Sequence, residues 1–176
     1  MGLDINLKTW IKEVKKMSEI LIVYYSYSGN TKKIAEIIKR KTGGDLFFTF
    51  PNPQYPKDSI DTLEVSKQQK ANNQLPGLTT KLESLDSYKY IFIGTPNWWS
   101  TMTPPIQKFL NIYDLSNKRI IPFITHGGGG VANIVKDMKL ICDKSIFLKE
   151  LSVIDNEIES VEHRVEFWLN EILHTN

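Results

Sequence analysis

Three short stretches of this sequence hold residues better suited to gripping a ligand than to building a core. Ser26-Tyr27-Ser28-Gly29-Asn30-Thr31 gathers three hydroxyls and a side-chain amide around one glycine, immediately after an apolar run and immediately before a lysine-rich helical pattern. Where a strand turns into a helix N-terminus, backbone N–H groups lack partners and the helix dipole adds positive potential, so such a turn binds anions, phosphate above all. The same residue types also serve as ordinary turns and caps, and a plain N-cap is the competing reading. Thr95-Pro96-Asn97-Trp98-Trp99-Ser100 offers aromatic surface and an amide, which suits a flat ring with a polar edge. Alternatively the tryptophans plug a gap between sheet and helix, and the sequence leaves open which of the two would face a ring. Thr125-His126-Gly127-Gly128-Gly129-Gly130 permits close backbone approach and presents several N–H donors, unless it is only a flexible turn. His126 either acts at a ligand's polar edge, varying with pH, or is simply hydrogen-bonded.

These stretches need elements to position them. Ile20 to Tyr25 is a continuous apolar run of strand length, and Thr31 to Lys41 has helical spacing that Gly43-Gly44 terminates. Leu46 to Phe50 is a second strand; Pro51, Pro53 and Pro56 then impose a loop before a polar helix over Ser59 to Lys70. A short helix is expected near residues 78 to 85, a third strand over Tyr90 to Gly94, and a helix from Pro104-Pro105. Ile120 to Thr125 is the fourth strand, Val131 to Ile141 a helix, Ser145 to Val153 the fifth strand, and 156 to 173 the last helix. Strands alternating with helices through right-handed crossovers give an α/β fold with a parallel sheet covered on both faces. Ligands of such sheets bind beyond the carboxyl ends of the strands, where all three stretches fall.

The 176 residues, 41% apolar and 24% charged, fit one domain over 18–176 preceded by an extension at 1–17. In that extension Leu3, Leu7, Trp10, Ile11 and Val14 share one helical face, which suits docking on the domain or on a sister subunit better than a membrane surface. No apolar stretch has the length of a membrane span, and no signal-peptide core is present. The net charge of +2 argues against nucleic acid. One cysteine, Cys142, excludes an intrachain disulfide, a redox dithiol and a thiolate zinc site, and makes the cytoplasm the default location. No metal-ligand set and no catalytic residue is singled out.

The pattern strand, S-x-S-G-N-T, helix resembles the phosphate-binding loop of the flavodoxins, and the segments 93–99 with Pro104-Pro105 and 122–130 resemble the ring-flanking loops of short-chain members of that family. The resemblance spans about residues 20 to 173. It implies a three-layer αβα sandwich with strand order 2-1-3-4-5 and one non-covalently bound flavin mononucleotide (FMN). It further implies electron transfer to a redox partner protein or a small acceptor. Ser26 to Thr31 would hold the phosphate; Thr95 to Trp99 and Thr125 to Gly130 would flank the ring. Two features depart from the pattern. Electron-shuttling flavodoxins are strongly acidic, and many carry a glycine after the third strand whose peptide flips on reduction; this chain is nearly neutral and runs Trp98-Trp99-Ser100-Thr101 there. An FMN-dependent reductase using NAD(P)H and a quinone-like acceptor, and a binding module without redox activity, therefore stand as alternatives. Homodimer formation is open. A receiver domain would need acidic residues where Ser26 and Thr95 stand, a low-molecular-weight phosphatase a cysteine and an arginine around the first loop, and a dinucleotide fold G-x-G-x-x-G, of which only Gly29 is present.

Overall fold

The computed structural model describes residues 18–174, and the amphipathic extension expected at 1–17 lies outside the described residues. In chain order the elements are β1 (Ile20–Tyr24), α1 (Asn30–Thr42), β2 (Asp45–Phe48), β3 (Pro51–Asn52), α2 (Ser59–Ala71), β4 (Gly77–Leu78), β5 (Tyr90–Pro96), α3 (Pro104–Ile112), β6 (Arg119–His126), α4 (Ile134–Ile141), β7 (Ile146–Phe147), β8 (Leu151–Ile154), a 3₁₀ turn (Asp155–Ser160) and α5 (Glu162–His174). The main sheet is parallel and runs β2-β1-β5-β6, with β7 and β8 sharing the outer edge of β6. Taking β7 and β8 as one interrupted strand, this is the expected 2-1-3-4-5 order. The structure is thus the flavodoxin-like αβα sandwich.

Because side chains of a strand point alternately to opposite faces, each central strand feeds two cores. Leu21, Val23, Ile91, Ile93 and Ile120 pack with Ile106 and Phe109 of α3 and Ile134 and Met138 of α4. Ile22, Tyr24, Phe92, Ile121 and Phe123 pack instead with Ile34 and Ile38 of α1 and Val165 and Trp168 of α5. Full burial of each such aliphatic side chain contributes roughly 1.5–3 kcal/mol. Gly94 pairs with Phe123 in the ladder, and a Cβ at Gly94 would stand 2.1 Å from that ring's Cζ. Only a glycine lets the phenyl ring lie across β5.

The structure departs from the sequence expectations in four places. Residues 78–85 form no helix: Leu78 and Gly77 pair antiparallel with Pro51 and Asn52, while Thr79 N donates to Phe50 O at 3.0 Å and Thr80 Oγ1 to Phe48 O at 3.0 Å. The stretch at Pro51 is accordingly an edge ribbon, where a residue without an N–H is tolerated. The fifth strand is broken at 148–150, and the pairing register with β6 advances by one residue between β7 and β8. Pro122 supplies the reason. Arg119 N and its alternate neighbours donate toward β5, so the Pro122 nitrogen faces the outer edge and offers no donor there. Helix α4 starts at Ile134 and not Val131, because Gly130 (φ 60°) and Ala132 (φ 46°) hold a left-handed turn before it. Finally, the last helix opens as the 3₁₀ turn at Asp155–Ser160.

Candidate functional site

The chain between β1 and α1 is built to leave donors unpaired. Gly29 sits at φ 98°, as the N-cap of α1, and no side chain caps the helix. The left-handed conformation comes naturally only to glycine. Ser26 Oγ accepts the Gly29 N–H at 3.1 Å and Lys33 N donates to Gly29 O at 3.0 Å, which fixes the curl of the loop. The amides of Asn30, Thr31 and Lys32 meet no acceptor among the described residues, and the first turn holds no acidic residue that would otherwise answer the helix dipole. Ser28 is exposed. Asn30 Nδ2 donates to Asp155 Oδ1 at 2.8 Å, tying the loop to the end of β8. Thr31 turns inward: its Oγ1 pairs with Thr125 Oγ1 at 2.8 Å, and both residues are buried.

After β5 the chain makes a tight turn. Thr95 is fully buried, accepts the Thr103 N–H at 3.0 Å and thereby braces the start of α3, so its hydroxyl does not face the loops. Pro96 ends β5 half-buried. Asn97 N donates to Thr125 O at 2.8 Å, and Asn97 Nδ2 to Gly130 O at 2.7 Å, so the second and third loops are stitched together. Trp98 and Thr101 exchange two backbone hydrogen bonds around Trp99 (φ 55°) and Ser100 (φ 65°). Both central residues are left-handed, the conformation of a turn that normally demands Asn-Gly. The two tryptophans diverge. Trp98 stands edge-on to Tyr25, Tyr27 and Tyr55, with ring centroids 5.6, 6.1 and 5.3 Å away. Trp99 points to α2: its Nε1 donates to Ser66 Oγ at 3.0 Å, and its carbonyl accepts from the Lys70 ammonium. Tyr27 bonds through its hydroxyl to Lys57 O at 2.8 Å, and burial holds the Tyr25 and Tyr55 phenols well above the usual tyrosine range.

The third loop follows the carboxyl end of β6. His126 Nδ1 accepts the Gly128 N–H at 3.1 Å and its Nε2 bonds Ser152 Oγ at 3.1 Å. Gly128 (φ 134°) and Gly130 (φ 60°) are left-handed, and the amides of Gly129 and Gly130 meet no acceptor among the described residues. Gly127 comes near Asp155. A recess of about 360 Å³ opens nearby, lined by Gln69, Lys70, Trp98, Met102, Asn133 and Asp137. It lies among α2, α3 and α4, apart from the Ser26–Thr31 loop. Cys142 is buried, and burial pushes its thiol up to about 11, which keeps it neutral and unreactive near pH 7.

The sequence reading singles out Asn97, Thr125, Gly130 and Thr31, which join the three loops, but not Tyr25, Asp155, Ser66 or Lys70. Tyr25 and Tyr55 complete the aromatic wall, yet lie in a strand end and a proline-rich segment. Asp155 was findable in principle, since it follows the carboxyl end of a parallel strand. Ser66 and Lys70 carry no signal in a polar helix.

A family model described as flavodoxin matches residues 19–172, nearly the whole described chain. The chain belongs to the flavodoxin family. Among solved structures, a protein assigned as a flavoprotein from Bacteroides eggerthii DSM 20697 is 28% identical, with TM-score 0.75, over 88% of this chain and 97% of its own. The flavoprotein in complex with FMN from Lactobacillus acidophilus NCFM is 24% identical, with TM-score 0.66, over 80% of this chain and 96% of its own. The Trp repressor binding protein from Bacillus subtilis is 13% identical, with TM-score 0.56, over 86% and 97%. The last two share the fold with this flavodoxin-family chain. No curated protein is significantly similar to it. Among the described residues no helix is long and apolar enough to cross a membrane, and no cluster of side chains could hold a metal ion.

Proposed function

We propose that this flavodoxin-family chain binds one FMN non-covalently across the three loops and uses it to transfer electrons. The observation that carries this reading is the uncapped N-terminus of α1: unpartnered amides and no acidic residue in the first turn, behind a glycine at φ 98°. The phosphate would rest on the amides of Asn30, Thr31 and Lys32 and the hydroxyls of Ser26 and Ser28. The ring would lie at the Trp98 edge, near Pro96 and the side chain of Asn97, with the amides of Gly127, Gly129 and Gly130 directed at its carbonyl oxygens. Tyr27 would close the side nearest the ribityl chain. The bound cofactor supplies the redox chemistry; the chain's part is to orient it, restrict water and set the charge around it.

One observation favours a second reading, an FMN-dependent oxidoreductase that moves electron pairs from NAD(P)H to a quinone-like acceptor. The Trp98–Thr101 turn has no glycine, and its Trp99 carbonyl is already committed to Lys70, so the turn resists rearrangement during single-electron steps. The physiological acceptor, a protein or a small molecule, belongs to the cytoplasm in either reading, and a homodimer is compatible with both. The test is a visible spectrum of protein mixed with FMN and freed of excess, followed by anaerobic stepwise reduction. A retained flavin band with a one-electron intermediate supports the carrier, and direct two-electron bleaching supports the reductase. Absence of a retained band refutes both.

A further inference from the structure

We propose that His126 is the positioning residue of the Gly127–Gly130 loop and makes the shape of that loop depend on pH. Four consecutive glycines have almost no conformational preference of their own, so a few contacts must choose their arrangement. Two contacts do so here. One is Asn97 Nδ2 donating to Gly130 O at 2.7 Å; the other is the Gly128 N–H donating to His126 Nδ1 at 3.1 Å. The first cannot titrate, and the second can.

A ring nitrogen that accepts a hydrogen bond carries no proton. The imidazole is therefore neutral with its proton on Nε2, where it donates to Ser152 Oγ at 3.1 Å. Ser152 is itself fixed on β8, in register with Ile124 of β6, and its carbonyl receives Arg164 Nη2 at 2.6 Å. The ring thus spans from the rigid sheet edge to the glycine loop. Protonation would put an N–H on Nδ1, pointing at the N–H of Gly128. Two donors would face each other, the acceptor would be gone, and either ring or loop must move. The charged groups on this side are Asp155 and Glu157 of the 3₁₀ turn and Arg164 of α5. Asp155 Oδ1 accepts from Asn30 Nδ2 and the residue lies beside Gly127, while Arg164 Nη1 donates to Glu157 Oε2 at 2.5 Å. Across the loop Asn97 is neutral. Because the contact needs the neutral imidazole, it is intact while the ring carries one proton and lost when the ring takes up a second. The binding consequence rests on the reading that this loop lines the flavin site; the loop consequence does not.

The test uses ¹⁵N-labelled protein without flavin. The imidazole nitrogen shifts at pH 8 should report Nδ1 unprotonated and Nε2 protonated. On titration to pH 5, the Gly128 amide resonance should move with the same midpoint as the His126 ring. In His126→Asn, whose side-chain oxygen can accept the Gly128 N–H without titrating, that movement should vanish. In parallel, the weakening of FMN affinity between pH 8 and pH 5 should be about five- to tenfold larger in the unsubstituted protein than in His126→Asn, the scale of one lost hydrogen bond, since protonation of the FMN phosphate is common to both. A proton on Nδ1 at pH 8, a Gly128 amide indifferent to the His126 titration, or an unchanged profile in His126→Asn would overturn the proposal. Coupled titration of ring and amide in a protein that binds FMN at no pH would uphold the role of His126 and sink the flavin reading instead.

Discussion

Helices α1 and α2 are each 13 residues long and sit in the chain on either side of β2, yet they are held in opposite ways. α1 buries Thr31, Ile34, Ala35, Ile37 and Ile38 and leaves its N-terminus uncapped. α2 is capped by Asp58, whose carboxylate accepts from Ile60 N at 2.8 Å, but buries only Thr62 and Ser66 and leaves Ile60 and Leu63 exposed. Tertiary packing can hold a helix whose end is unsatisfied, and good capping can shape one that packs poorly. On the proposed reading the contrast follows the use of each: α1 would present bare amides on a fixed axis, whereas α2 meets Trp99 through Ser66, Lys70 and the Lys67 ammonium over its ring, and Tyr55 through Gln69. Such an element belongs to the least stable part of the molecule.

The contrast can be broken from either side. Ile38→Ala, in the α1 core, should cost about 2–5 kcal/mol of unfolding free energy in a denaturant melt, while Ile60→Ala in α2 should change it by less than about 0.5 kcal/mol. Equal losses would mean that α2 is as firmly packed as α1. Gly29→Val forces a β-branched residue to φ 98°, a strain of about 1–3 kcal/mol, and should lower FMN affinity up to about a hundredfold by fluorescence titration. Unchanged affinity would remove the phosphate from that loop. Trp98→Ala should weaken FMN about tenfold, whereas Trp99→Ala should leave affinity within about threefold and speed amide exchange along α2. The reverse order would put Trp99 at the ring. Asp58→Ala should destabilise α2 by about 1 kcal/mol, read by exchange in that helix alone.

Much of the frame was legible because long apolar runs such as Ile20 to Tyr25 and Ile120 to Thr125 have few alternatives to buried parallel strands. The Ser26 to Thr31 turn was legible because glycine and hydroxyl residues there have a mechanism, not just a frequency. What failed to show was direction. Nothing in the letters says that Thr31, Thr95 and Thr125 turn inward, since a threonine suits a core hydroxyl pair as well as a ligand. The separation of Trp98 from Trp99 depends on two left-handed residues, for which bulky side chains give no warning. The β3–β4 ribbon went unseen because it is two residues per strand, and the break between β7 and β8 because Pro122 acts on a neighbouring strand rather than on its own.

Gly94 and Phe123 carry a consequence for how this sequence can change. The space that would hold a side chain at residue 94 is already filled from across the ladder, so the two positions amount to a single choice. Enlarging residue 94 first drives its side chain into the Phe123 ring, and shrinking residue 123 first opens a void in the layer beneath α1 and α5. Such a pair is a ratchet on divergence: chains descended from this one would be expected to keep both residues or to exchange both.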